Sequence, residues 1–355
     1  MADATDTALN SGAPTPAGDA AAAAAARGDV NARSFFRDAD GHLWRDLKPG
    51  ELATALKQEG GQLWVDVDST QRCQHALLEK VFGFHPLSIE DTLSPNGRVK
   101  IEEFPGYLFV TLRAVSFCET TEDPYDLDTA NLYLFVGTNF LVTAHSAKAP
   151  PVEAVFSLVE RNPDILERGV GRVAHMVMDT AIDEYFPILD QVDGFVDTLE
   201  ERVFAQFDQS AMQDIFQVKR LVLSLRRYLA PQREVFNALA NRPTKFLDPA
   251  IQVYFRDVYD HVLRINDSLD NYRELLSSTA DAYLTQVSNR LGHITKGLSV
   301  VATISIPFVV ISGMYGMNFQ DIPLSHHPHG FWIMLVLQVA IGIGLVALLK
   351  WKELL

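Results

Sequence analysis

Residues 297–315 read GLSVVATISIPFVVISGMY and residues 330–349 read GFWIMLVLQVAIGIGLVALL, and neither stretch holds an Asp, Glu, Lys or Arg. About 20 apolar residues, rising about 1.5 Å each, cross a hydrocarbon layer of about 30 Å, and only a helix does so singly while satisfying its own backbone. Both stretches are therefore expected to span a membrane. Two buried helices of a soluble core are the competing reading, but a soluble fold seldom hides two stripes that are apolar all round.

Basic residues in short flanks mark the cytoplasmic ends of spans. Arg290 and Lys296 precede the first stretch, Lys350 and Lys352 follow the second, and the connecting residues 316–329 contain no Lys or Arg. Both chain ends are thus expected on the cytoplasmic side of a cell (inner) membrane, with only the 316–329 loop outside.

Upstream the composition changes character. The whole chain is 48% hydrophobic and 21% charged with a net charge of −15. Removing Lys296, Lys350, Lys352, Asp321 and Glu353 from that balance leaves −16 on residues 1–290. Nucleic acid is an unsuitable partner for such a surface, whereas cations are attracted to it. An ordinary solvated acidic surface has the same charge. The two cysteines, Cys73 and Cys118, offer no disulfide framework, which suits a reducing compartment. Residues 1–33 carry four Asp and an alanine run at 20–26, do not resemble a secretion signal, and are expected to form a disordered tail.

Stretches 62–69, 107–117 and 129–146 are rich in Val, Phe, Tyr and Leu and read as strands, with a helical stretch at 71–82 between the first two. Residues 34–150 therefore suggest an α/β domain. No glycine-rich phosphate loop follows a strand. Residues 151–249 turn helical, with segments near 151–168, 170–208 and 210–240. Beyond them Val258, Val262, Ile265, Leu269, Tyr272, Leu276, Thr279 and Tyr283 alternate steps of four and three, a heptad stripe. This stalk, 250–296, continues into the first span (297–315) without a breaker, predicting one helix of about 65 residues and about 100 Å. Helices of the same chain could cover that stripe; continuity with a span favours a symmetric bundle.

Within the first span Thr295, Leu298, Ala302, Ile306, Val309 and Gly313 share one helix face. A mostly apolar pore lining gates hydrated ions by wetting and dewetting. A helix-packing face would show the same spacing.

At the end of that span stand Tyr315-Gly316-Met317-Asn318-Phe319, followed by a second span at 330–349 and a short C-terminus at 350–355. With Ala302-Thr303-Ile304, Pro307 and Gly313 ahead of it, this loop resembles the signature of CorA-type magnesium/cobalt channels. The resemblance extends to Tyr254-Phe255-Arg256-Asp257-Val258-Tyr259-Asp260-His261, to Asp281-Ala282-Tyr283-Leu284, and to His85-Pro86-Leu87 with Glu90-Asp91.

That resemblance implies a homopentameric funnel: an α/β cytoplasmic domain, long stalk helices around an axial pore, and the second spans outside. It implies Mg²⁺ influx, with Co²⁺ and Ni²⁺ as further candidate cargo, selected at Gly316, Met317 and Asn318. It implies too that Asp91 and Asp257 bind cytoplasmic Mg²⁺ at subunit boundaries and so gate the pore. Mg²⁺ sheds water reluctantly, so a ring of backbone and amide oxygens suits recognition of the hydrated ion.

The chain departs from the family pattern at Gln320-Asp321-Ile322-Pro323-Leu324-Ser325, where relatives carry more acidic residues, and at Gly292, where relatives commonly have Asn. His326, His327 and His329 would suit softer ions; neutral solvated histidines are the plainer reading. A zinc transporter of the same superfamily, or a membrane-anchored scaffold that transports nothing, would share the architecture. No nucleophile–base pairing or cofactor motif points to an enzyme.

Overall fold

The computed structural model describes residues 32–94, 97–118, 120–146, 149–205, 207–317, 322–324 and 326–352. The described residues form two compact units. One comprises residues up to Thr198 plus Gln213–Leu276, and the other comprises Leu199–Met212 plus Ser277 onward.

The first unit is built on a seven-stranded sheet in the order β2-β1-β3-β7-β6-β5-β4. Its strands are β1 (Arg33–Arg37), β2 (Leu43–Arg45), β3 (Gln62–Asp68), β4 (Lys100–Phe104), β5 (Tyr107–Phe117), β6 (Leu127–Val136) and β7 (Phe140–His145). Only the β3–β7 pair is parallel, with Leu63 opposite Phe140 and Asp68 opposite His145. Helices α1 (Pro49–Ala55), α2 (Arg72–Lys80) and α3 (Pro86–Leu93) interrupt the early strands, and α4 (Pro150–Arg161) and α5 (Val170–Asp183) follow the last.

Period-two alternation sends Leu63, Val65 and Val67 to one side of β3, where they share a core with Leu52, Ala55, Leu77, Leu78, Phe109 and Phe135. On the other side Trp64 and Phe35 meet the Phe156 ring of α4, at centroid distances of 5.1 and 4.4 Å. Both faces being covered explains the near-continuous apolar runs of the central strands. Asp66 is the polar exception at 4% exposure, held by Thr143 Oγ1 at 2.7 Å, His145 and Arg33. Although burial works against its charge, these partners keep the carboxyl below the usual range.

Several boundaries differ from the sequence reading for local reasons. The tail expected over 1–33 lies outside the described residues up to 31, but Ala32 is buried and Arg33 opens β1. The strand expected over 129–146 is the hairpin β6–β7, turned where the N–H of Gly137 bonds the Phe140 carbonyl. The helix expected over 151–168 stops at Arg161, because Pro163 forces Asn162 out of helical backbone (φ −135°, ψ 83°) and a 3₁₀ segment, Pro163–Arg168, follows. The 170–208 segment breaks at Glu184 into α5 and α6 (Tyr185–Ala205). Pro187 is the cause: it has no N–H for the Asp183 carbonyl, and its ring crowds that carbonyl.

Helix α7 spans Ala211–Asn241, and α8 runs unbroken for 67 residues from Pro249 to Tyr315. In the first unit Val258, Val262, Ile265, Leu269 and Leu276 are fully buried, and Tyr272 Oη bonds the Leu189 carbonyl. In the second, Thr279 and Tyr283 are covered, with Tyr283 stacked on Phe207 at 5.7 Å. The heptad stripe is thus satisfied by the chain's own helices. The unpartnered part of α8 begins later, since residues 288–299 are exposed on every side. Helix α9 (Gly330–Trp351) completes the described residues.

Candidate ion pathway and cation-binding residues

The first and second apolar stretches are helical throughout, as the last turns of α8 and as α9. They pack antiparallel through a short seam. The Phe308 ring lies on Gly342, where a Cβ would come within 2.6 Å of Cζ, and Gln338 Nε2 donates to Ser312 Oγ at 3.0 Å. Apart from these contacts the surface is apolar and open, with Val336 67% and Ile343 66% exposed, as lipid-facing helices require.

The seam fixes which side of α8 is which. Ile304, Phe308, Ile311 and Tyr315 are the half-covered side. At about 100° per residue, Thr295, Leu298, Ala302, Ile306, Val309 and Gly313 centre about 160° away from it. All six are exposed. The shared spacing of this face therefore does not come from packing against α9, and Leu291, 58% exposed, extends it upstream.

At the end of α8 the N–H of Gly316 bonds the Ser312 carbonyl at 3.0 Å and that of Met317 the Met314 carbonyl at 3.3 Å, tightening the final turn. Gly316 does not stand in left-handed backbone, and a Cβ there would lie 3.4 Å from the Ser312 oxygen, an ordinary contact. Asn318 lies outside the described residues, as does Asp321. Across the loop, Gly330 is a steric necessity because the Leu324 carbonyl occupies the place of a Cβ. His327 Nδ1 accepts the His329 N–H at 3.2 Å. The ring nitrogens of His326, His327 and His329 do not converge into one of the metal-binding groups found among the described residues.

Asp91 lies in the last turn of α3, a helix started by His85, whose Nδ1 accepts the Leu87 N–H, and by Pro86 at its first position. Its Oδ2 is 2.8 Å from Lys100 Nζ on β4, which also meets Glu102 at 2.7 Å. Burial opposes the Lys100 charge, but the two carboxylates outweigh it and raise its pKa. Asp257 stands on α8 with its side chain 75% exposed and Oδ2 3.8 Å from His261 Nε2.

Sequence reading missed the neighbours of Asp257. His261 Nδ1 lies 3.2 Å from Asp183 Oδ1 on α5, and ligand atoms of Asp179, Asp183 and His261 all fall within 4.8 Å of one another. Asp179 Oδ1 is buried without a partner among the described residues, and its pKa is raised by burial and then by the charges of Asp183 and Asp257. The available signal was the four-residue spacing of Asp179 and Asp183, which puts both on one helix face. Two carboxylates and an imidazole form a donor set able to hold a divalent cation.

A soluble α/β unit, and a helix that continues from it into the first of two apolar helices, define a membrane protein. The chain belongs to the CorA-like Mg²⁺ transporter protein family, whose model matches residues 59–350. YfjQ of Bacillus subtilis (strain 168) is 33% identical over 283 residues, which are 80% of this chain and 86% of that protein. The cobalt/magnesium transport protein CorA of Thermotoga maritima is 28% identical over 316 residues, covering 87% and 89% respectively. The complete structure of the CorA magnesium transporter from Methanocaldococcus jannaschii superposes with a TM-score of 0.77 at 23% identity, covering 90% of this chain and 98% of that one. That likeness carries the fold: an α/β domain, a long helix, and two apolar C-terminal helices.

Proposed function

We propose that this chain is a divalent-cation channel that admits Mg²⁺, with Co²⁺ and Ni²⁺ as further cargo, and that five copies surround one pore. The observation that carries this reading is the exposed face from Leu291 through Thr295, Leu298, Ala302, Ile306 and Val309 to Gly313, opposite the seam with α9. With α9 on one side, α8 keeps a continuous apolar face for an axis shared with other copies. Residues 288–299 supply a second reason, being exposed on every side, whereas the turns of α8 before and after them are covered on one side by their own chain.

Selection falls to the Gly316-Met317-Asn318 loop, where neutral oxygens recognise the hydrated ion and release it again. Arg290, Lys296, Lys350 and Lys352 against an outer loop without Lys or Arg support an inner-membrane orientation with both ends cytoplasmic. Internal Mg²⁺ closes the pore by binding Asp91 and Asp257 at subunit boundaries; the exposure of Asp257 leaves it within reach of a neighbouring copy. Asp179 and Asp183, which meet His261 beside Asp257, add carboxylates there.

The test is uptake of Mg²⁺, Co²⁺, Ni²⁺ and Zn²⁺ into liposomes containing the purified protein. Asn318→Ala is expected to abolish uptake in a protein that still assembles. Normal uptake would remove the filter assignment, and a preference for Zn²⁺ would favour a zinc transporter.

A further inference from the structure

We propose that Gln338, on the second membrane helix, is the positioning residue for the ion-selecting loop. Its Nε2 donates to Ser312 Oγ at 3.0 Å, while the carbonyl of the same serine accepts the N–H of Gly316 at 3.0 Å. One serine thus joins α9 to the turn that launches Gly316-Met317-Asn318. The inference rests on the reading of that loop as the filter.

Gln338 is only 7% exposed, and residues 330–349 around it carry no charged side chain. A carboxamide in hydrocarbon is strongly disfavoured unless hydrogen-bonded, so the bond to Ser312 resists opening more than it would in water. A second contact fixes the register. Phe308 precedes Ser312 by one turn, and Gly342 follows Gln338 by one turn, so in antiparallel helices the ring-on-glycine contact and the hydrogen bond lie at successive levels. The close approach that Gly342 permits brings Gln338 within hydrogen-bond range of α8.

The consequence concerns selectivity more than stability. A filter of neutral dipoles distinguishes ions by the number and placement of its oxygens. Releasing Ser312 lets the final turn of α8 relax and moves the carbonyls around Gly316, which changes relative rates for ions of different hydration before it unfolds anything.

The experiment measures initial uptake of Mg²⁺, Co²⁺ and Ni²⁺ by the full-length protein in liposomes, for Gln338→Leu, Ser312→Ala, the double variant and Ser312→Thr, with Asn318→Ala as the filter control. Both single variants are expected to change the Co²⁺ to Mg²⁺ rate ratio by roughly threefold to tenfold, the range such interhelical bonds support. The double variant should show no more than either single, and Ser312→Thr, which keeps a hydroxyl, should retain the wild-type ratio. Unchanged ratios in the single variants, or additive changes in the double, overturn the proposal. Should Gln338→Leu fail to assemble, Ser312→Ala, which removes one oxygen, decides the question. Normal uptake by Asn318→Ala would instead remove the filter reading, and this inference with it.

Discussion

Lys100 Nζ lies 2.8 Å from Asp91 Oδ2, so the carboxylate proposed to bind regulatory Mg²⁺ already has a cationic partner in its own chain. A divalent ion that binds Asp91 must displace that lysine or share the carboxylate with it. The pair is exposed by about a third (27% for Lys100, 32% for Asp91), where an ion pair contributes at most about 1 kcal/mol. Lys100→Ala is therefore expected to lower the Mg²⁺ concentration that gives half-maximal protease protection by up to about fivefold. Asp91→Asn together with Asp257→Asn should raise that concentration instead. No shift in either variant would mean that regulation lies elsewhere.

The seam between the membrane helices makes a packing prediction. A side chain at position 342 collides with the Phe308 ring, so Gly342→Val should destabilise the protein by about 1–3 kcal/mol, as overpacking does. Combining it with Phe308→Ala clears the space. The melting temperature of the detergent-solubilised double variant should recover part of the loss; no recovery would place the cost of valine elsewhere.

Much of this architecture is legible because the relevant signals are local. The absence of charge over 297–315 and 330–349 needs no tertiary information, and the unbroken α8 follows from periodicity and the lack of proline between Pro249 and Pro307. What was missed depends on chain segments that meet only after folding. Strands β1 and β2 are too short to show alternation, and β3, the second partner of β1, lies beyond α1. Asp179 and Asp183 join His261 from 78 or more residues away. The heptad stripe was visible, but its occupant was not: a pattern of buried positions does not say whether the covering helix belongs to the same chain.

Glu184, in the break between α5 and α6, gives a pH prediction. Burial raises its pKa from 4.5 to about 7. A raised carboxyl pKa means that the folded state holds the proton more tightly, so stability is fully present below pH 4.5 and declines until about pH 7. Glu184→Gln keeps the neutral form at every pH. Its melting temperature should pull ahead of the wild type's as pH rises through that window and hold a constant lead above it. A lead that is independent of pH would show that Glu184 titrates normally.

The last prediction separates the two sides of α8 within the membrane. If the face opposite α9 lines a water-filled path, single cysteines at Leu298, Ala302, Ile306 and Val309 will react with a charged, water-soluble thiol reagent when the channel is open. Cysteines at Ile304, Phe308 and Ile311 lie on the side that meets α9 and lipid, where a charged reagent is excluded. Cys73 and Cys118 must first be replaced by serine so that every thiol is the introduced one. Reaction is expected to follow the helix period, strong at the first four positions and absent at the other three, and to slow when internal Mg²⁺ is raised. A further substitution, Ile306→Ser, makes that ring easier to wet and should increase leak at high internal Mg²⁺. Equal reactivity on both sides would mean that no water column follows this face, and the six residues from Thr295 to Gly313 would then have to face lipid or another helix.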